Sequence, residues 1–165
     1  MAPQERYVID ANALIGLYRY FGSKAVRKLR EMLKDKSLRS PEGVVRELLR
    51  GTDRIARFVK NHRSDLEISF KENPKLIFYL SKIETRYGEF IHIGRQKHPG
   101  LWSSPAGRRS ADAQVVAAAI ALQATVVSDD HTVQLVCSLE GVPCIGWAEF
   151  ARRIGLVPQS RLPSL

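Results

Sequence analysis

The chain has 165 residues, enough for one sizeable core and too few for two ordinary domains. Hydrophobic residues make up 44% and charged residues 26%, a soluble composition, and no stretch approaches the roughly 20 apolar residues of a membrane helix. The formal charge of +9, from 26 Lys and Arg against 17 Asp and Glu, favours a polyanionic partner such as nucleic acid.

In chain order, residues 6–10 read as a short buried strand ending in Asp10, and residues 13–20 as a helix. Residues 23–35 form a second helix with Ser23 as N-cap and Val26, Leu29, Met32 and Leu33 along one face. "SLRSP" is strand-like, and Pro41 opens the helix "PEGVVRELLRG", closed by Gly51. Residues 53–64 and 74–88 are two basic amphipathic helices. The stretch from Gly94 to Ser110 has three Gly, two Pro and no sustained period, and reads as a long loop.

The remainder is regular. "SADAQVVAAAIALQ" is a helix apolar nearly all round and therefore buried; "ATVVSDD" is a strand ending in acid; "HTVQLVCSLEG" is a helix, "VPCIGW" a strand and turn, and "AEFARRIGL" a last helix. Strands alternating with helices predict a parallel α/β sheet with right-handed crossovers. One domain over residues 1–157 is expected, with residues 158–165 as a C-terminal tail. Cys137 and Cys144 fit neither a CxxC motif nor a disulfide framework and are expected as two reduced, buried thiols. The N-terminus lacks a signal-peptide layout, so the expected location is the cytoplasm.

In an open parallel sheet, ligands bind outside the carboxyl ends of the strands. Asp10 and the pair Asp129–Asp130 directly follow two strands, so both fall at that edge. Asp112, in the first turn of the buried helix, joins them only if the long loop returns the chain there. Glu47 lies just beyond one margin of its helix's apolar arc and Arg46 beyond the other, at 100° per residue. Each acid also has an ordinary structural reading: Asp10 or Asn12 caps the next helix, Ser110 caps the helix of Asp112, Asp129 caps "HTVQLVC", and Glu47 pairs with Arg50.

Several carboxylates together are harder to explain by structure alone, since each pair at ~5 Å repels by roughly 3 kcal/mol at an effective dielectric of ~20. A hard cation, Mg²⁺ or Mn²⁺, relieves that repulsion, and such ions bridge carboxylates to a substrate phosphate. Acids for a metal inside a basic protein is what a metal-dependent nuclease requires.

"YVIDANALI" resembles the opening motif of PIN-domain ribonucleases, and "VVRELLRG" resembles their second, a Glu inside a helix. "SADAQVVAAAIALQATVVSDD" resembles the third and fourth, and "GVPCIGWAEFARRIGL" is similar to their closing strand and helix. The resemblance covers nearly the whole chain. It implies a three-layer α/β/α sandwich with a mostly parallel central sheet in strand order 3-2-1-4-5, and Mg²⁺- or Mn²⁺-dependent endoribonuclease activity on RNA. It also implies frequent homodimers and, in many compact members, a toxin inhibited by an antitoxin protein. By position, Asp10, Glu47, Asp112 and Asp130 become the catalytic, metal-binding carboxylates, with Asn12, Ser128 and Asp129 beside them.

Two departures stand out: the stretch between Glu47 and Asp112 is longer than in compact toxins, and the Asp129–Asp130 doublet leaves two candidates for the fourth ligand, with the Ser-x-Asp spacing favouring Asp130. Arg95, Lys97, His98, Trp102, Arg108 and Arg109 interleave bases with an aromatic and are candidate strand contacts; a solvated loop with Trp102 packed on the core reads equally well. His131 after the doublet reads as incidental. The alternative function is a catalytically silent RNA-binding module. A phosphotransfer domain with Asp10 as nucleophile fits the Asp-Ala-Asn stretch less well. A dinucleotide enzyme is disfavoured because no GxGxxG follows the first strand.

Overall fold

The computed structural model describes residues 4–156, so the tail expected at 158–165 lies outside the described residues. Strand β1 (Tyr7–Ile9) is fully buried and stops at Asp10, which caps helix α1 (Ala11–Phe21): the Ala13 amide donates to its carboxylate at 2.8 Å. Asp10 is thus an N-cap as well as a strand-end acid, and the helix begins two residues earlier than its pattern indicates. Gly22, at φ +56°, turns the chain into α2 (Ser23–Lys34) and occupies the cap position expected of Ser23. Strand β2 (Leu38–Pro41) runs straight into α3 (Glu42–Leu49).

The expected helix over 53–64 is two helices, α4 (Arg54–Asn61) and the short α5 (Arg63–Leu66), broken at His62. Asp53 caps α4 by accepting from the Ala56 amide at 3.0 Å. A two-residue strand, β3 (Glu67–Ile68), follows, and then α6 (Pro74–Tyr87), capped by Asn73 with Pro74 at its first position. The expected loop from Gly94 starts inside an antiparallel hairpin, β4 (Phe90–Ile93) with β5 (Gln96–Pro99), joined by Gly94–Arg95 with Gly94 at φ +60°. Two 3₁₀ turns, Leu101–Ser103 and Gly107–Arg109, carry the chain to α7 (Asp112–Leu122).

Strand β6 (Thr125–Val127), α8 (His131–Glu140), β7 (Cys144–Ile145) and α9 (Trp147–Arg153) complete the chain in the expected alternation. Cys137 is buried as expected, whereas Cys144, on an edge strand, is half-buried; both are free thiols. Among the described residues no helix is long and apolar enough to cross a membrane.

The main sheet is all parallel in the order β3-β2-β1-β6-β7, which is 3-2-1-4-5 when its own strands are counted. Helices flank it. α1 contacts α2 and α9, while α7 contacts β1, β2 and β6 and is itself covered by α6. Ala113, Ala117, Ala118, Ala119 and Ala121 are buried on α7, and their small side chains let the helix lie close to the sheet. From β1 the chain first builds outward through β2 and β3, then returns to build β6 and β7 on the other side. The strand order therefore reverses between β1 and β6, which is where an open α/β sheet leaves its crevice.

Candidate functional site

The carboxyl ends of β1 and β6 are locked side by side, because the Asp10 amide donates to the Val127 carbonyl at 3.1 Å. The next strand holds the loop after β6 in turn, as the Ser128 amide donates to the Ile145 carbonyl at 2.9 Å. Asp10 is 6% exposed and Ser128 fully buried. The Ser128 hydroxyl bonds the Asp10 carboxylate and accepts from the Asp130 amide at 3.1 Å, so one buried oxygen orients two of the predicted acids.

Asp130 caps α8 through the Val133 amide at 2.9 Å. That corrects the reading of Asp129 as the cap of this helix. Asp129 turns the other way, accepting from the Trp147 amide at 3.1 Å at the start of α9. A Cβ on Gly146 would collide with the Asp129 Oδ1, so a larger residue there must displace that carboxylate.

Asp112 opens α7 behind Ser110, whose hydroxyl accepts from the Asp112 amide at 3.2 Å. The hairpin and the 3₁₀ turns supply the return of the chain that this placement needs. Its neighbour is set by a cross-link: the Gly43 amide of α3 donates to the Gln114 side chain of α7 at 2.8 Å. A Cβ on Gly43 would stand 2.6 Å from the Gln114 oxygen and 2.9 Å from the Ala111 Cβ, so the close approach of α3 to the start of α7 depends on glycine. That approach brings Glu47, exposed on α3, within electrostatic range of Asp112.

The electrostatics follow from this crowding. Burial pushes the Asp112 carboxyl up to about 6, helped by the charges of Asp130, Asp10 and Glu47 and opposed by the Ser110 hydroxyl. Burial also raises Asp10, against the Ser128 and Ala13 hydrogen bonds and with the charges of Asp130 and Asp129. The leading charges acting on these two groups are other carboxylates. Among the described residues no three Asp, Glu, His or Cys side chains stand close enough to clasp one ion. The donor set is nonetheless all oxygen, and Mg²⁺ characteristically keeps several waters and takes one or two carboxylates, so the residues fit a hard cation by donor chemistry.

The remaining predicted residues are scattered around this edge. Asn12 is exposed on the first turn of α1. Arg95 sits in the turn of the hairpin, and Lys97 on β5 places its ammonium 3.8 Å from the Phe90 ring centroid, away from the acids. Trp102 is half-buried in the first 3₁₀ turn, with the Arg108 guanidinium 4.5 Å over its ring. Arg108 and Arg109 do line a cleft with Ser110, and its other wall is a feature the sequence reading missed: Gly43, Arg46 and Arg50 of α3. The only available signal was their i, i+3, i+7 spacing along one helix face.

Residues 7–157 match the family model described as Domain of unknown function (DUF4411). The chain belongs to this family. No curated protein matches it in sequence. In structure it is similar to VapBC2 from Rickettsia felis, bound to a DNA fragment from its promoter: TM-score 0.52 and 16% identity over 86% of this chain and 98% of that one. It is also similar to PAE2754 from Pyrobaculum aerophilum, at TM-score 0.50 and 14% identity over 93% of this chain and 98% of that one. At such identities the likeness is one of fold, and the fold is the PIN-like α/β/α arrangement that the motifs imply.

Proposed function

We propose that this member of the family is a Mg²⁺- or Mn²⁺-dependent endoribonuclease, and the toxin of a cytoplasmic toxin–antitoxin pair. The observation that carries the reading is the carboxyl edge itself, where burial and the charges of three other carboxylates raise Asp112 to about 6. The ordered PIN motifs and the fold shared with VapBC2 support the same reading. Asp10, Asp112 and Asp130 would hold the metal, one or two of them directly and the rest through its waters, with Glu47 at the exposed rim.

A divalent ion bound there supplies polarisation of a phosphoryl oxygen and a water nucleophile at neutral pH. The chain's own residues do the positioning. Asp10 is fixed by the Ser128 hydroxyl and the Ala13 amide, and Asp130 by the Val133 amide. Asp129, committed to the start of α9, holds the loop rather than the ion. Glu47, reaching solvent, orients the attacking water. An antitoxin would act by covering this acidic edge.

The test is cleavage of total RNA with Mg²⁺, Mn²⁺ or chelator, using wild type and Asp10→Asn. Asparagine is also a good N-cap, so the variant should keep its fold. Its cleavage should fall at least about 100-fold, the upper end of what outer-shell partners of a metal cost. Undiminished cleavage by Asp10→Asn, or cleavage that survives chelator, sinks the assignment; RNA binding without any metal-dependent product establishes the silent module instead.

A further inference from the structure

Beside the carboxyl edge lies a cleft of about 330 Å³ lined by Gly43, Arg46, Arg50, Leu80, Glu84, Arg108, Arg109, Ser110 and Gln114. Four guanidinium-bearing residues meet there from two elements about sixty residues apart in sequence, the face of α3 and the turn before α7. Among the described residues Arg50, Arg108 and Arg109 form no ion pair, and Arg46 reaches only Glu42, at 3.4 Å on the surface. Glu84 is the one acid of the lining. Gathering four like charges against so few acids opposes folding, just as the neighbouring acids do, unless an anion takes the place between them.

The cleft adjoins the acids through shared residues. Ser110 lines it and bonds the Asp112 amide, and the Gly43–Gln114 link that forms its floor also sets the Glu47–Asp112 approach. Arg46 on α3 and Arg50 at its C-cap lie to one side of Glu47 around the helix.

We infer that this arginine cleft holds backbone phosphates of a single RNA strand on one side of the bond to be cut, feeding the strand past Asp112 and Glu47. The inference rests on the nuclease reading for its substrate. Arginine suits the task because its planar fork grips phosphate oxygens in pairs. Walled by α3, α6 and the turn before α7, the cleft would take a single strand in preference to a base-paired duplex. Trp102 contributes by carrying Arg108 on its ring, which holds that guanidinium in place, and not by stacking on a base.

The experiment is fluorescence anisotropy of a labelled single-stranded RNA in chelator, where nothing is cut, across a salt series. The Arg50→Ala/Arg109→Ala variant should bind at least about tenfold more weakly, and its slope of log K against log salt should shrink by about 1.4, for two phosphate contacts on a single strand. Lys24→Ala/Arg27→Ala on α2 makes the same charge change on exposed residues far from the cleft and should weaken binding by no more than about twofold. Arg50→Lys/Arg109→Lys, which keeps the charge and loses the fork, should retain the slope and part of the affinity; this holds the test open should the alanine pair fold poorly.

Equal losses in the cleft and α2 variants overturn the inference, as does tighter binding of duplex than of single strand. So does an acidic peptide that occupies the cleft while RNA does not bind. Binding through the cleft with no cleavage in Mg²⁺ upholds the cleft and overturns the nuclease reading; cleavage unchanged in the cleft variant does the reverse.

Discussion

The two edges of the sheet treat acidic residues in opposite ways. At the amino edge, Glu5 just before β1 pairs with Arg153 at 3.1 Å, and on the helix that carries Arg153, Glu149 bonds Arg152 at 2.6 Å and Arg153 at 3.0 Å. Those hydrogen bonds from Arg152 and Arg153 pull the Glu149 carboxyl down to about 2. At the carboxyl edge the acids face one another, and Asp112 goes up to about 6. The protein has arginines to spare beside Asp112, yet they line the adjacent cleft instead of pairing with the acids. At the amino edge an arginine partner is supplied. At the carboxyl edge backbone amides and hydroxyls orient the acids and their charge is left unpaired, as the proposed metal site requires.

Breaking that contrast at the rim should have the largest effect. Glu47→Lys would place a cation within range of Asp112, imitating the amino edge. Cleavage should drop at least about 100-fold, on the scale of a lost metal-site partner, while the fold stays intact because position 47 is exposed. Cleavage assays paired with circular dichroism check this. Retained activity would show that Glu47 takes no part.

The next effect is on packing. Gly43→Ala inserts a methyl group between Gln114 and Ala111, where 2.6 and 2.9 Å leave no room. Overpacking of this kind costs about 1–3 kcal/mol, readable by urea denaturation. It should also push α3 off the start of α7, lowering cleavage and strand binding together, since the acid rim and the arginine cleft share that contact.

How far the sequence reveals this arrangement depends on whether each signal is local. Asp10 is legible because it stands immediately after an apolar run, and Asp129 and Asp130 because only Ser128 separates them from another, and a strand end fixes which edge they occupy. The helix of α7 is legible because its alanines and valines leave no polar face. The hairpin was missed although its two-residue turn carries a glycine. Its strands do not alternate cleanly: Ile91 is buried but Phe90 and Ile93 are both exposed. β3 is two residues long, too short for any period. The cap of α8 falls to Asp130 and not to Asp129, because Asp129 answers to Trp147, a partner eighteen residues on. The arginine cleft joins α3 to a turn near residue 108, and no local pattern spans that gap.

Smaller, but more diagnostic of the contrast between the edges, is the stability effect of Asp112→Asn. The ordinary value of this carboxyl is 3.8 and its folded value about 6, so the folded state binds the proton more tightly. Below pH ~4 the group is protonated folded and unfolded, and its charge costs nothing. As pH rises through the window from about 4 to about 6 the folded chain must ionise it against burial and its neighbours, and stability is lost; above about 6 the loss is complete. Two units correspond to about 3 kcal/mol at most, and partial exposure reduces this to about 1–2 kcal/mol. The variant should therefore melt higher than wild type by a few degrees at pH 8, by about 2–4 °C per kcal/mol for a chain of this size, and alike at pH 4. Divalent ion should stabilise wild type and close the gap at pH 8.

Glu149→Gln is the counterpart with the smallest expected effect. This carboxylate is exposed on α9, and its ion pairs with Arg152 and Arg153 are i,i+3 and i,i+4 contacts open to solvent and salt. A lowered carboxyl stabilises the fold above its ordinary value of 4.5 and loses that stability as pH falls toward about 2, so whatever it contributes is fully present at pH 8. Because the pairs are open to solvent that contribution is small, and removal should leave the melting temperature at pH 8 unchanged within error. Cleavage should also be unchanged, because α9 meets the acid edge only through the Trp147 amide on Asp129, which the substitution leaves in place. A thermal scan showing Glu149→Gln to matter as much as Asp112→Asn would mean that ordinary surface charge, and not the uncompensated carboxyl edge, governs how this fold responds to pH.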